Sequence, residues 1–393
     1  MNGDQKWKVL MVHNYYQIPG GEDTVVTNEK RLLEEHGHEV VLYTRHNNEL
    51  KSMSKLQKLG LPFTTIFNPK TYSEIKKIIK EQGIEIVHVH NTLNLISPAV
   101  YYAAVKCKVP VVQTIHNFRF LCPGATFYRD GHICEDCINK GLGCAVKHKC
   151  YRASRAQTLI CVINTWIHRH TGILRKINYI ALTEFNKSKL LQLNCIDPEK
   201  VFVRPNFTFT IENAFGNNDK GDFFLYVGRI EEIKGIERLI RVFQKIPQYN
   251  LELAGDGPLL EEMIRYTREQ GTENIVFLGR IDHDSVMKKM KMARAVIVLS
   301  QVYEGFPMTI VEAYSVGTPV IGSNFGNIGN LIEEGKTGFK TSLQEKDIIA
   351  TIERSTEGDD LTETVYQVFR SKYTAENAYR AVCRIYGEAE GRQ

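Results

Sequence analysis

Short apolar runs alternate with helix-period segments along almost the whole chain, and that alternation confines it to parallel βαβ architecture. In the first half KVLMV is followed by TVVTNEKRLLEEHG, then EVVLY, IEIVHV, SPAVYYAAVKCK and VPVVQTI. The second half repeats the theme with FFLYVG, GIERLIRVFQKI, NLELAG, LLEEMIRYTREQG, NIVFLG, AVIVLS, PMTIVEAYSVG and PVIGS. A chain of 393 residues can bury two such cores, so two doubly wound α/β domains are expected. Pro205 and the polar cluster GNNDKGD mark the boundary. The expected division is 1–206, 207–373 and a C-terminal helix, 374–393, packing back on the first domain. Between Cys122 and Cys150 the alternation stops, and a Gly- and Cys-rich insertion with a hairpin signal at Asp130-Gly131 takes its place.

Charge and cysteine usage narrow the function classes. The net charge of +5 is mild, but residues 138–190 hold ten Lys or Arg against one acid, Glu184. Trp166, His168, Arg169, His170, Arg175 and Lys176 would suit a face resting on anionic lipid. Ala156, Leu159, Ile160, Ile163 and Ile167, in the same segment, follow the spacing of a core-facing helix. No nucleic-acid-reading motif accompanies the basic residues, so nucleic acid is not expected as a partner. The start, MNGDQKWK followed by VLMV, lacks the n- and h-regions of a secretory signal, and no apolar run of about 18 residues occurs. A cytoplasmic location, at the inner face of the plasma membrane if lipid is engaged, is the expectation. Five of the nine cysteines crowd into the insertion. Cys134 and Cys137 have the gap of a zinc knuckle, with Cys122, Cys144, Cys150, His132 and His148 as further ligands, yet the remaining spacing fits no standard pattern. A structural zinc and a set of reduced thiols both stay open.

The chemistry concentrates at strand ends. In VYEGFPMTIVEAYSVGTPV, Pro307 suits the first turn of a helix whose free N–H groups, around Gly305, Phe306, Pro307, Met308 and Thr309, would attract a diphosphate. Glu304 precedes this helix and Glu312 lies within it, so two carboxylates can reach different hydroxyls of one ligand. FFLYV runs into GRIEEIKG, placing Arg229 and Lys234 in the loop at a strand's carboxyl end, where open α/β sheets bind ligands. LAGDGP ends another strand in a turn at Gly255, Asp256 and Gly257, where backbone can approach a base or ribose. His88 and His90 share a strand, are expected to face opposite ways, and at least one of them to be structural.

These motifs together resemble the family 4 retaining glycosyltransferases: GRIEEIKG, AGDGP, FLGRI and two Glu separated by seven residues in the second domain, and IPGGED, VHVHN, TIHN and RPN in the first. HNFRFLCPGATFYRDGHICEDC is similar to members that assemble bacterial surface polysaccharides and lipid-linked oligosaccharides. The resemblance implies the GT-B fold, two Rossmann-like domains facing an interdomain cleft. It implies that Arg229 and Lys234 bind the donor diphosphate, Glu312 the ribose and Glu304 the donor sugar, with His116 beside the transferred sugar and Gly20 and Gly21 near the phosphates. Glu22, Asn117 and Asn206 fall on the acceptor side. The donor would be a nucleotide-diphosphate sugar, the acceptor a glycan, polyprenyl-diphosphate-linked, and no metal would be required at the active site. Retention would follow from front-face attack, the leaving phosphate taking the acceptor proton. The chain departs from the family pattern at GSNFGNIGNLI, with Asn327 and Asn330, and at Phe207, changes that bear on donor choice. Two other readings are an epimerase on the same scaffold and a non-catalytic sugar-nucleotide-binding subunit.

Overall fold

The computed structural model describes residues 5–18, 20–210 and 220–391, and two parallel sheets dominate it. Pro19 of the IPGGED motif, and residues 211–219 with the start of GNNDKGD, lie outside the described residues. By their internal packing the residues fall into two units. One comprises the chain up to Phe127, Cys134–Pro205 and the chain from Ala378 onward; the other comprises Tyr128–Ile133 and Asn206–Asn377.

In the first unit the strands are β1 (Lys8–Tyr15), β2 (Glu39–His46), β3 (Ile86–Asn91), β4 (Val111–Ile115), β7 (Asn178–Ala181) and β8 (Val201–Val203), in the order β2-β1-β3-β4-β7-β8. Two short strands intervene in the chain, β5 (Tyr128–Arg129) and β6 (His132–Ile133), a hairpin that turns at Asp130-Gly131, both with positive φ, and groups with the second unit. β3, β4 and β7 are buried at every residue. Such unbroken burial is what helices on both faces of a parallel sheet impose.

The second unit contains β9 (Phe223–Val227), β10 (Asn250–Ala254), β11 (Ile275–Gly279), β12 (Val296–Val298), β13 (Val320–Ser323) and β14 (Gly338–Thr341). Their order, β11-β10-β9-β12-β13-β14, with every pairing parallel, is the doubly wound pattern whose direction of growth reverses between β9 and β12. The helix Ile236–Lys245 shows why the layers close. Ile236, Leu239, Ile240, Val242 and Phe243 recur at helical spacing and are all buried in one apolar cluster with Phe224, Leu251 and Ile297.

Three expectations are corrected here. His88 and His90 face the same way, because residues two apart in a strand share a face; their rings stack at 4.5 Å and both are buried. In the helix Arg155–His170, Leu159 and Ile163 are exposed and Ala156 is too, so the stripe taken as core-facing turns outward while Thr158, Cys161 and His168 are buried. His168 and Arg169 are accordingly not free for a lipid face: His168 bonds to the Ile66 carbonyl, and Arg169 donates to the carbonyls of Phe120 and Leu121. Pro307, finally, caps the helix Met308–Ser315 from outside its first turn.

The loops after β9 and β10 meet backbone to backbone. Gly228 N–H donates to the Ala254 carbonyl and Ile230 N–H to the Asp256 carbonyl, each at 3.0 Å. A Cβ on Gly255, whose φ is +158°, would lie 1.8 Å from the Gly228 oxygen. Gly255→Ala is therefore expected to cost more than about 3 kcal/mol in urea unfolding. Gly20 has extended backbone, and a Cβ there meets nothing within 4 Å. Gly20→Ala should cost about 1 kcal/mol or less; equal losses for the two variants would refute the assignment.

Candidate functional site

The reversal point of the second sheet brings two loops side by side. After β9, Gly235, at φ +75°, sits so close to β12 that a Cβ would be 2.6 Å from the Leu299 carbonyl oxygen, and this packs the Glu232–Lys234 turn against the strand end. Gln301 pins the same turn, its N–H to the Ile233 carbonyl and its side-chain amide to the Glu232 carbonyl, both at 2.8 Å. The consequence is an ion pair across the reversal point, Lys234 Nζ to Glu304 Oε1 at 2.6 Å. Ser300, buried at the end of β12 and held by Ser323, also donates its hydroxyl to Glu304. Burial pushes the Glu304 carboxyl up, but the Lys234 ammonium and the two hydrogen bonds outweigh it and hold the group below the usual carboxylate range.

Asn327 holds the loop from the other side, its amide donating to the carbonyls of Glu304 at 2.6 Å and Gly305 at 2.8 Å. The residue that departs from the family pattern thus shapes the loop before the helix Met308–Ser315. Phe306 is buried and meets Tyr373 edge to face, and the helix start carries no side-chain cap, so the N–H groups around Met308 and Thr309 are left for another partner. The Glu312 carboxylate, one turn further on, makes no hydrogen bond among the described residues, and burial raises it above the usual range. Arg229 is half-exposed and lies 3.5 Å from Glu231. Its carbonyl accepts from the Tyr226 hydroxyl, which also feels the Glu304 charge. In the adjoining turn Gly257 N–H donates to the Asp256 carboxylate at 2.7 Å. Asn206, buried, has an amide oxygen without a partner.

The remaining residues singled out from the sequence belong to the first unit. Gly20 caps the helix Gly21–Glu35, its N–H donating to Asp23, whose other oxygen lies 2.7 Å from His13. Glu22 accepts from the Tyr16 hydroxyl at 2.9 Å and lies beside Asn117; burial pushes its carboxyl up to about 8. His116 Nε2 lies 3.0 Å from His90 Nδ1, and burial holds both rings well below the usual histidine range, hence neutral at ordinary pH. Both line a hollow of about 80 Å³, together with Asn117, Arg119, Asn164 and Arg169. Two buried polar atoms on its wall, His90 Nε2 and Asn164 Oδ1, have no partner. His90, Ser300 and Asn327 were not singled out as site residues; the first two act through neighbours that only the fold supplies.

No cysteine of the insertion is in a disulfide among the described residues. Burial, and the nearby thiols of Cys122, Cys150 and Cys144, push Cys137 up to about 12, while Cys134 is not among its neighbours of influence. Among the described residues, the group whose metal-ligating atoms all lie within 4.8 Å of one another is Glu29, His88 and His90, with no cysteine in it. That group is already committed: Glu29 pairs with Arg204 at 2.8 Å, and both ring nitrogens of His88 are hydrogen-bonded, to Tyr386 and to Thr114.

Comparison with known proteins agrees along the chain. The model for Glycosyltransferase Family 4 matches residues 19–208 and that for Glycosyl transferases group 1 matches residues 208–367. N-acetyl-alpha-D-glucosaminyl L-malate synthase of Bacillus anthracis is 21% identical over 381 residues, covering 91% of this chain and 92% of that one. The gpi3 subunit of the Schizosaccharomyces pombe phosphatidylinositol N-acetylglucosaminyltransferase is 24% identical over 410 residues, covering 94% and 79%. A crystal structure of Anabaena HepE in complex with UDP shares the fold, with a TM-score of 0.66 at 17% identity, over 97% of this chain and all of that one.

The Lys234–Glu304 pair has a measurable signature. Folding lowers the Glu304 value from 4.5, so its stabilisation is present above that pH and is lost as pH falls through the folded value. Lys234→Met, leaving a buried carboxylate unpaired, should cost about 1–3 kcal/mol at neutral pH and less in acid. The double variant Lys234→Met/Glu304→Gln should be more stable than Lys234→Met alone in urea titrations; strictly additive losses would mean that the pair is not coupled.

Proposed function

Since this chain belongs to the GT-B glycosyltransferases of the family 4 type, we propose that it moves a sugar, with retained anomeric configuration, from a nucleotide-diphosphate donor to a polyprenyl-diphosphate-linked glycan during surface polysaccharide assembly. The observation that carries this reading is the joining of Lys234 to Glu304 at the sheet reversal point, beside an uncapped helix start. A diphosphate needs cations and N–H donors, and a sugar needs carboxylates, within one ligand's reach. The UDP in the Anabaena structure supports a nucleotide donor. The phosphatidylinositol in the fission-yeast relative's name supports a lipid acceptor.

In this reading Arg229, Lys234 and the N–H groups at Met308 and Thr309 neutralise the diphosphate as the bond from its oxygen to the anomeric carbon breaks. Each contributes about 2–4 kcal/mol of barrier reduction by analogy with single oxyanion donors. The acceptor hydroxyl attacks from the face the diphosphate is leaving, and its proton passes to the departing phosphate oxygen. Glu304 and Glu312 hold donor-sugar and ribose hydroxyls, the turn at Gly255 and Gly257 admits the base, and neutral His116 bonds the transferred sugar. Gly20, which the fold does not require to be small, leaves room for the phosphates.

Lys234→Ala is expected to lower kcat by about a hundredfold or more in donor turnover assays. Unchanged turnover would remove the transferase reading. Ribose hydroxyls donate to a carboxylate but not to a carboxylic acid proton, and burial raises Glu312. UDP affinity, read by calorimetry, should therefore fall as pH is lowered from neutral into the acid range, and Glu312→Gln should bind more weakly and lose that pH dependence. A Glu312→Gln variant that keeps the wild-type pH profile would take the ribose contact away from this residue.

A further inference from the structure

Seven of the eleven large apolar side chains that are exposed among the described residues lie on two helices of the first unit or at the end of one. On the helix Lys55–Ile66, Leu56, Leu59 and Phe63 are 82%, 74% and 76% exposed, and Phe67 follows at its end. Their spacing of three and four puts them on one stripe. The helix Arg155–His170 packs against it and turns Leu159, Ile163 and Trp166 outward, the last 55% exposed. Helices normally bury such stripes; these two do the reverse.

The charges around the stripes have one sign. Lys51, Lys55 and Lys58 are exposed, as are Arg152 and Arg155, and Lys51, Lys55, Lys58 and Arg155 make no ion pair among the described residues. No acid occurs between Glu49 and Glu74, nor between Asp136 and Glu184. We propose that these two helices form a docking platform for an anionic lipid bilayer, with Leu56, Leu59, Phe63 and Trp166 entering the acyl boundary and the lysines and arginines meeting the phosphates. The inference rests on the reading above that the acceptor is carried by a membrane lipid, and it names the surface that meets that membrane. Amphipathic helices with cations beside an apolar face lie in the interface, and Trp is favoured at that depth. A second copy of this chain on the same face would bring like charges together, which argues for lipid as the occupant. No helix among the described residues is long and apolar enough to cross a membrane, and a platform of this kind has no need of one.

The test is co-sedimentation of the full chain with vesicles of phosphatidylcholine alone and of phosphatidylcholine mixed with phosphatidylglycerol. Wild-type protein should bind the mixed vesicles, and added salt should weaken the binding. Leu56→Ser/Leu59→Ser/Phe63→Ser, and separately Lys55→Glu/Lys58→Glu, should each reduce partitioning by about tenfold or more. Because the altered side chains are exposed, the melting temperature and its rise on adding UDP should stay as in wild type. Wild-type protein that ignores the mixed vesicles, variants that bind them equally, or a solution dimer that the triple variant dissociates would each overturn the proposal. The donor reading fails separately, by absence of any UDP-induced shift in wild-type protein.

Discussion

A parallel strand covered on both faces has one main place left for polar chemistry, its carboxyl end, and the two units described here largely follow that constraint. The strands β3, β4, β7, β12 and β13 bury every residue they contain. Charged groups that must meet a ligand are therefore carried by the loops that follow. Where sheet growth reverses, between β9 and β12, no crossover helix fills the space above the strand ends, so the two loops approach each other. Lys234 and Glu304 stand on either side of that gap, and their pairing is a consequence of topology. Gly235 and Gly255 belong to the same logic: each lies where a neighbouring backbone comes too close for a side chain.

The first unit carries an exception, a polar chain inside its core. Arg204 and Glu29, almost wholly inaccessible, pair at 2.8 Å; Glu29 lies 3.5 Å from His88, which bonds Tyr386 of the C-terminal helix. Burying such a network rarely adds net stability, but half of it would be worse than none, so it fixes one arrangement of helix, strand and terminal helix. It also works on the histidines at its edge. Burial above all, with the Arg204 charge opposing any positive ring, keeps His90 and His116 neutral. A neutral His116 can donate one hydrogen bond and accept another, and the contact with His90 Nδ1 occupies one of those capacities.

Much of this was legible in the sequence because parallel strands and their helices write strong periodic patterns. The strands around FFLYV, NLELA and AVIVLS, the loop positions of Arg229, Lys234 and Glu304, and the turn at Asp130-Gly131 all follow from residue type and spacing. What escaped did so for physical reasons. Ser300 and Asn327 act on Glu304 through contacts set by strand order, which leaves no local trace. The stripe of Leu159 and Ile163 has the same period whether it faces a core or a solvent, so periodicity finds the helix and not its orientation. His88 and His90, two apart in one strand, share a face, so the expectation of opposite facing fails on strand geometry. The cysteines gather Cys122, Cys144 and Cys150 around Cys137, a grouping that the knuckle-like spacing of Cys134 and Cys137 does not suggest.

The helix Arg155–His170 joins two of these themes. Its outward face presents Leu159, Ile163 and Trp166, and the opposite side lends Asn164, Thr165, His168 and Arg169 to the hollow that holds His116. A residue rotation of about 100° per position makes this division inevitable for a sixteen-residue helix with one apolar and one polar side. The polar side is the one turned inward, where Asn164 Oδ1 and His90 Nε2 wait without partners. An acceptor with an apolar carrier and a polar head has the same two-sided character. On the lipid-acceptor reading proposed above, a helix with apolar side chains on one face and unsatisfied hydrogen-bonding groups on the other would hold the carrier's membrane and the head's hydroxyls in fixed relation, with only exposed side chains such as Trp166 reaching the acyl boundary.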